Sequence, residues 1–194
     1  MDSRVTEFHC IMPMCNVPSV MKHGILSYER TAKLAHQSVA MQEVQDRRDR
    51  KRVTGGLMLH HYANLYFHAR NPMMYLRPTH ASELCVLRIS TAVADLDGVV
   101  FADRNAAGDY ARFLTPAQWV VLDFDRIYAL DWNDQDRFAY FDKKAKKCAE
   151  VLVPDKVETK FLTGAYVVDQ AAAAQFVALD SGLSVLVNPM LFFR

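Results

Sequence analysis

The sequence predicts an α+β fold. Predicted strands and helices interleave along the chain, but they lack the regular strand-helix-strand spacing of a doubly wound nucleotide fold, and no GxGxxG turn is present. With 194 residues, 51% of them hydrophobic, the chain is long enough for one buried core and too short to need two. We therefore expect a single domain over residues 1–194.

The N-terminal half is expected to alternate between strands and helices. Residues 5–12 have the apolar character of a strand, and residues 16–22 follow as a short helix with Asn16 as its cap. Residues 38–52 contain no Gly or Pro and few apolar side chains, which predicts a surface helix with a wide polar face. Residues 57–67 are rich in aromatics and predict a strand, followed by a turn at Asn71-Pro72.

The C-terminal half contains short apolar runs that predict further strands. They lie at residues 83–90, 98–102, 149–153, 161–168 and 184–188. Between them, residues 103–148 carry many Asp, Arg and aromatic residues and predict short helical stretches at most. Asp169 is a capping residue for an alanine-rich helix through residue 179.

Charge and cysteine spacing exclude several classes of protein. The formal net charge of +1 means that attraction to nucleic acid must come from local basic patches. The four cysteines form no CxxC pair and the seven histidines no HxxxH or HExxH motif, so we expect no metal. Neither an export signal nor an apolar run of membrane-spanning length is visible, and free thiols favour the cytoplasm.

Glu150 stands at the start of the apolar strand Val151-Leu152-Val153, directly after a lysine-rich turn. Such a glutamate is most often a solvated or salt-bridged surface residue. Its position is also one where partial desolvation would orient the carboxylate towards a sugar hydroxyl and towards positive charge that develops at an anomeric carbon.

Two basic patches stand out. Five cations fall within residues 47–52, which is either a solvated helix face with i,i+4 ion pairs or a site for a diphosphate or nucleic-acid backbone. The second patch consists of Lys143, Lys144, Lys146 and Lys147.

Other candidate residues are individually weak. His9 lies in an apolar strand, where a satisfied core histidine is the common case, although it is also able to donate to a bound ribose. Several aromatic residues, of which Tyr66 and Tyr75 are two, are either core residues or stacking partners for a nicotinamide or a nucleobase.

Seven stretches, taken together and in order, resemble the DarT family of DNA ADP-ribosyltransferase toxins. They are Phe8-His9-Cys10-Ile11 with Asn16-Val17-Pro18-Ser19-Val20-Met21 and His23-Gly24-Ile25-Leu26, then Val44-Gln45-Asp46-Arg47-Arg48 with Arg52-Val53, then Tyr66 through Tyr75, and Ala149 through Pro154. The resemblance spans nearly the whole chain.

The resemblance implies an ADP-ribosyltransferase-like split mixed β-sheet with flanking helices, which binds NAD in its central cleft. It implies that Glu150 and Arg52 are catalytic, that residues 38–52 form an NAD-binding element and that residues 103–149 form the turn-turn loop that presents DNA. The residues then expected to bind NAD are His9, Cys10, Asn16, Gly24, Leu26, Arg47, Arg48, Tyr66 and Tyr75. The four lysines of the second patch would follow the DNA backbone.

The function implied is that of a toxin that transfers ADP-ribose from NAD to a base of single-stranded DNA, opposed by an antitoxin that removes ADP-ribose. Residues 62–75 resemble the guanine-modifying branch of the family more than the thymine-modifying branch. Two alternatives stay open on the residues alone: a non-catalytic nucleic-acid-binding module, and an NAD-dependent ADP-ribosyltransferase that acts on RNA or protein.

Overall fold

The computed structural model describes residues 1–38 and 40–193. Ten strands are formed in this part of the chain: β1 Phe8–Pro13, β2 Ile25–Leu26, β3 Tyr62–Tyr66, β4 Leu84–Ile89, β5 Val100–Ala102, β6 Phe113–Leu114, β7 Glu150–Pro154, β8 Lys156–Val157, β9 Leu162–Val167 and β10 Val185–Val187. The α-helices are α1 Val17–His23, α2 Tyr28–Thr31, α3 Gln42–Asp49, α4 Pro72–Tyr75, α5 Phe124–Tyr128, α6 Arg137–Lys146 and α7 Gln170–Val177. None of these helices has the length and apolar character that a bilayer crossing needs.

Eight strands form one mixed sheet in the order β10-β9-β4-β1-β3-β7-β5-β6, and β2 pairs with β8 beside it. Only β9 and β10 run parallel among the described strand pairs. β1 pairs with β4 over its whole length and β3 pairs with β7 over five residues, but β1 and β3 meet at the single pair His9 and Tyr66. The sheet therefore opens between β1 and β3, and the expected split mixed sheet of an α+β fold is confirmed.

The apolar residues of the central strands form the core. β1 is buried along its entire length, and the rings of Phe8, Phe67 and Phe101 pack edge to face with centres 5.1 to 6.2 Å apart. This packing connects β1, the segment after β3, and β5. It gives the edges of the open split a rigid support.

Most expected elements are present, with three corrections. The helix expected over 38–52 covers only Gln42–Asp49, because it is polar nearly all round and packing supports just its middle; Val39 lies outside the described residues. The strand expected from residue 57 starts at Tyr62, after a 3₁₀ turn. The region expected to hold short helical pieces contains the ten-residue α6, whose first turn is capped by the Asp136 carboxylate.

Gly24 follows the last residue of α1 and also fixes the spacing between α1 and β8. Its φ of +83° belongs to a region that side chains rarely adopt, and a Cβ there would lie 2.4 Å from the carbonyl oxygen of Val157. We expect Gly24→Ala to lower the free energy of unfolding by about 3 kcal/mol or more, from strain plus the backbone clash. Urea denaturation measures this loss.

Gly55→Ala is the matched control, because Gly55 also has a positive φ, +72°, but no atom within 4 Å of a built Cβ. Strain alone should cost this variant about 1–2 kcal/mol. Equal losses for the two variants would show that the contact with Val157 has no role.

Candidate active site

The split between β1 and β3 opens into a central cleft with a cavity volume of about 340 Å³. β1 and β3 contribute residues to opposite walls, and residues from 28–38 and from 40–48 also line the cleft. Residues 72–77, with α4 at their centre, close one end. The cleft holds the Glu150 carboxylate at its base, beside Tyr66.

Glu150 is the first residue of β7 and is only 1% exposed. Its Oε2 accepts a hydrogen bond of 2.9 Å from Nη1 of Arg48, and its Oε1 accepts one of 3.0 Å from the backbone N–H of Ala106. A buried carboxylate is stable only when it is paired and hydrogen-bonded, and both conditions are met here. The side chain is therefore held in one orientation within the cleft.

Arg48 joins the catalytic candidate Glu150 to β3. Its guanidinium is buried, with 6% of the residue exposed, and its Nη2 donates to Oδ1 of Asn64 at 3.2 Å. Asn64 was not identified from the sequence, although a polar residue inside the aromatic strand around it is the signal that marks it. The fork of Arg48 thus fixes α3 against β3 and β7 at once.

The loop that carries Ala106 also holds the buried carboxylate of Asp103, which pairs with two arginines. Asp103, 3% exposed, accepts from Nε of Arg112 at 2.8 Å and from Nε of Arg104 at 3.3 Å. Burial by itself would raise the pKa of Asp103, but the hydrogen bonds from Arg112 and Arg104 outweigh it and lower the pKa. The ammonium of Lys51 also donates to the carbonyl of Gly108, so α3 and this loop are braced together.

Five further residues expected to bind NAD line the central cleft together with Arg48. They are Cys10, Asn16, Gly24, Leu26 and Tyr66. Asn16 does not cap α1; instead its side-chain amide donates to the carbonyl oxygen of Gln37 at 2.8 Å and accepts from the N–H of Gln37 at 3.1 Å. This pair of bonds holds Gln37 against the start of α1, where both residues line the cleft.

Tyr66 lies next to Glu150 across the β3–β7 pair, and its hydroxyl donates to the sulfur of Met73 at 3.1 Å. Burial, reinforced by the neighbouring Glu150 carboxylate, raises the pKa of Tyr66 well above its usual value. The phenol is therefore neutral and presents a ring face and a hydrogen-bonding group to whatever occupies the cleft.

Four of the expected site residues are not in this cleft. Arg52 follows the end of α3 and donates to the carbonyl of Gly56, so it faces a small surface turn. Arg47 is exposed on the outer side of α3. Tyr75 is 53% exposed, with its ring 5.5 Å from Trp132 and 5.1 Å from Phe193.

His9, the fourth, points to the opposite face of β1 from Cys10, into a second cavity of about 180 Å³. Both of its ring nitrogens are occupied: Nε2 lies 3.1 Å from Oε1 of Glu7, and Nδ1 accepts from the N–H of Ala69 at 3.0 Å. A role for His9 in binding a ribose within the central cleft does not fit this placement.

Helical spacing would have identified Arg48 among the clustered arginines. Met41, Val44 and Arg48 recur three and four residues apart and face the cleft together. Arg52 would share that face if the helix continued, but α3 ends at Asp49. The end of α3 therefore decides that Arg48 lines the cleft and that Arg52 does not.

The four lysines of the second patch have different surroundings. Lys143 pairs with Asp134, and Lys146 pairs with Asp123 and Asp142. Lys144 has no carboxylate partner among the described residues and lies 5.7 Å from the ring centre of Tyr140. Lys147 is 1% exposed, and its ammonium donates to the carbonyl of Ile127 at 2.7 Å, so it cannot follow a DNA backbone.

Burial lowers the pKa of Lys147 to about 8, from 10.5 in the unfolded chain. Between these two values the unfolded chain binds more protons than the folded protein, so stability contributed through this group rises as pH rises through the window. When the pH is raised from the lower to the upper end of this window, the free energy of unfolding of the wild type should increase relative to that of Lys147→Met. Urea unfolding of both proteins at both ends measures it, and a constant difference would contradict it.

Within residues 1–38 and 40–193, no group of three or more His, Cys, Asp or Glu side chains is arranged to bind a metal ion.

The split mixed sheet and a buried glutamate fixed at the base of its cleft define the class of ADP-ribosyltransferases. Residues 9–193 match the family model described as "DarT: ssDNA thymidine ADP-ribosyltransferase, DarT". The chain therefore belongs to the DarT family, and the resemblance noted in the sequence is confirmed.

Individual relatives agree with this assignment. A "DNA ADP-ribosyl transferase-DNA ADP-ribosyl glycohydrolase fusion protein" of Thermosipho africanus is 26% identical over 204 residues, covering 98% of this chain and 50% of the relative. The chain thus spans about half the length of that protein.

Two solved structures of DarT from Thermus sp. 2.9 share the fold. The complex with ADP-ribosylated single-stranded DNA has a TM-score of 0.85 at 22% identity, with 97% of both chains covered. The complex with NAD⁺ has a TM-score of 0.80 at 21% identity and covers 97% of this chain and 98% of the other.

Proposed function

We propose that this protein transfers ADP-ribose from NAD to a base of single-stranded DNA and releases nicotinamide. The observation that carries the proposal is the Glu150 carboxylate, buried in the central cleft and fixed by Arg48 and the Ala106 N–H. Membership of the DarT family supports it, as do the Thermus relatives, whose structures contain NAD⁺ and ADP-ribosylated single-stranded DNA.

The mechanism starts with breakage of the bond between the ribose anomeric carbon and the nicotinamide nitrogen, whose electron pair leaves with nicotinamide. Positive charge then develops on the sugar, as in glycoside hydrolysis, and a nearby carboxylate stabilises it. Each oxygen of Glu150 accepts one protein hydrogen bond and keeps capacity for another, so the same carboxylate also accepts from a ribose hydroxyl. A nitrogen of the base then attacks the anomeric carbon and loses its proton.

We assign to Arg48 the catalytic role that the resemblance gave to Arg52. Arg48 orients the Glu150 carboxylate, and it also places a positive charge in the cleft that receives the diphosphate of NAD. The walls formed by Cys10, Asn16, Gly24 and Leu26, with Tyr66 at the base, complete the proposed NAD site. The side chains of His9, Arg47 and Tyr75 stay outside it.

The attacked nitrogen is normally occupied in a base pair, so the DNA substrate is unpaired. The resemblance of residues 62–75 to the guanine-modifying branch favours guanine as the modified base, whereas the family description names thymidine. We expect mass spectrometry to detect an ADP-ribose adduct when NAD is incubated with one of four oligonucleotides, each built from a single base. The adduct identifies the base, and Glu150→Gln is the control that should give none.

Two outcomes of this experiment would favour the alternatives. Oligonucleotide binding without any consumption of NAD would indicate a non-catalytic nucleic-acid-binding module. NAD consumption with transfer only to RNA or protein would indicate a different acceptor, because the glutamate does not itself select one.

The proposal includes a role as the toxin of a toxin–antitoxin system in the cytoplasm. It is supported by the Thermosipho relative, in which a DNA ADP-ribosyl glycohydrolase is fused to the transferase in one chain. The partner is then a glycohydrolase that removes ADP-ribose from DNA. Expression of the wild type should arrest growth unless such a glycohydrolase is present, and Glu150→Gln should express freely.

A further inference from the structure

The outer face of α6 combines exposed aromatic rings with cations that lack carboxylate partners. Phe138 is 85% exposed and Phe141 is 52% exposed. The guanidinium of Arg137 lies 5.7 Å from the ring centre of Phe141, and the ammonium of Lys144 lies 5.7 Å from that of Tyr140. We call these five residues the α6 face.

Helix geometry places the members of the α6 face side by side. Arg137, Phe141 and Lys144 follow at intervals of four and three residues and form one stripe, and Tyr140 and Phe138 flank it. The rings of Tyr140 and Phe141 are 5.3 Å apart and perpendicular. Large exposed rings of this kind are unusual on a protein surface without a binding role, because they leave apolar area in water.

The acidic side chain of α6 points elsewhere. Asp142 pairs with Arg104 and Lys146 on the side of the helix that packs against residues 103–108. On the α6 face, Arg137 and Lys144 have no carboxylate partner in the part of the chain that the structure describes. The face therefore carries net positive charge among exposed rings.

This helix is physically connected to the catalytic candidate. The N–H of Asn105 donates to the carbonyl of Ala145 near the end of α6 at 3.2 Å, and the next residue, Ala106, donates to Glu150. The chain also runs from the end of α6 to Glu150 in four residues. The C-terminal end of α6 therefore lies beside the segment that fixes Glu150.

We propose that the α6 face is a stacking platform for the bases that flank the modified base in single-stranded DNA. Bases stack on Phe138 and Phe141 while Arg137 and Lys144 contact the phosphates, the combination that single-strand binding uses because every base has a π-face. Double-stranded DNA does not fit, since its bases are stacked on one another. The inference rests on the proposed function and assigns its substrate-positioning surface.

The test measures binding separately from catalysis. Fluorescence anisotropy measures the affinity of two proteins for a short single-stranded oligonucleotide. One carries Glu150→Gln alone, and the other carries Glu150→Gln with both Phe138→Ala and Phe141→Ala. We expect the double phenylalanine replacement to weaken oligonucleotide binding about tenfold or more, which corresponds to the loss of one stacked base. Calorimetry should show unchanged NAD binding. Phe138→Leu with Phe141→Leu should weaken binding as well, since leucine keeps apolar area without a ring.

Val177→Ala is the matched control, because Val177 is 65% exposed on α7, a helix that packs beside β9 and β10 at the far edge of the sheet. It should bind DNA like the parent. Arg137→Gln and Lys144→Gln should each reduce the dependence of binding on salt by about one phosphate contact.

Unchanged oligonucleotide affinity in the double phenylalanine variant would overturn the platform, even if the wild type transfers ADP-ribose normally. Equal weakening by the Val177 control would overturn it too, since the effect would then not be local. Failure of the wild type to consume NAD would instead reject the proposed function. The oligonucleotide affinities of the variants would then still decide whether the α6 face binds single-stranded DNA.

Discussion

Replacement of Glu150 by Gln should reduce ADP-ribose transfer to single-stranded DNA by about 10³-fold or more while the protein stays folded. Gln has the same shape and still offers an oxygen to the Ala106 N–H, but it lacks the negative charge that stabilises the sugar cation. The loss should appear in kcat, because the charge acts in the transition state rather than in ground-state binding. Transfer of labelled ADP-ribose from NAD to an oligonucleotide measures it.

Glu158→Gln is the control for this variant, because Glu158 is exposed and pairs with Lys160 on the surface. It should transfer normally. The thermal unfolding of Glu150→Gln should still be cooperative, and NAD binding should persist in calorimetry. Transfer at the wild-type rate by Glu150→Gln would remove the proposed mechanism.

Arg48→Ala should be the most destabilising of the arginine replacements. Arg48 and Glu150 are both buried, so removal of the guanidinium leaves an uncompensated carboxylate inside the protein, at a cost of about 3–5 kcal/mol. It also removes the bond to Asn64, which fixes α3 over the cleft. Urea denaturation should show the loss of stability, and the transfer assay should show a loss of activity in the protein that remains folded.

Two neighbouring replacements separate this effect from a general loss of charge. Arg50→Ala removes an exposed guanidinium from the same cluster and should change stability by no more than about 0.5 kcal/mol. Arg52→Ala should retain transfer, because Arg52 bonds only to the surface turn at Gly56 among the described residues. Loss of transfer in Arg52→Ala with normal transfer in Arg48→Ala would restore the assignment made from the sequence.

A double replacement tests whether the cost of Arg48→Ala comes from the stranded charge. In Arg48→Ala with Glu150→Gln the buried carboxylate is gone, so much of the lost stability should return relative to Arg48→Ala alone. Simple addition of the two single effects would mean that the ion pair itself has little influence on stability.

The fold was predictable from the sequence because its central strands carry their own signal. The apolar runs that became β4 and β9 lie within the predicted limits, and those that became β1 and β7 end one residue beyond them. Gly24 and Asp169 mark helix ends through local backbone chemistry. The burial of Lys147, in contrast, was not predictable from the sequence. Lys147 belongs to a lysine-rich run, which is typical of an exposed surface. Its burial depends on the packing of α5 against α6, which brings together separate segments of the chain.

Residue order alone was sufficient to identify the α+β class, which follows from local patterns. It also showed the resemblance to the DarT family, and that resemblance in turn implied the role of Glu150. Only the tertiary structure decided which arginine meets Glu150, that Asn64 and the Ala106 N–H complete the site, and that His9 faces away from it. The physical reason is that these relations depend on where α3 ends and on where β1 and β3 part. Helix ends and strand divergence are settled by packing between segments far apart in sequence, and no local pattern contains that information.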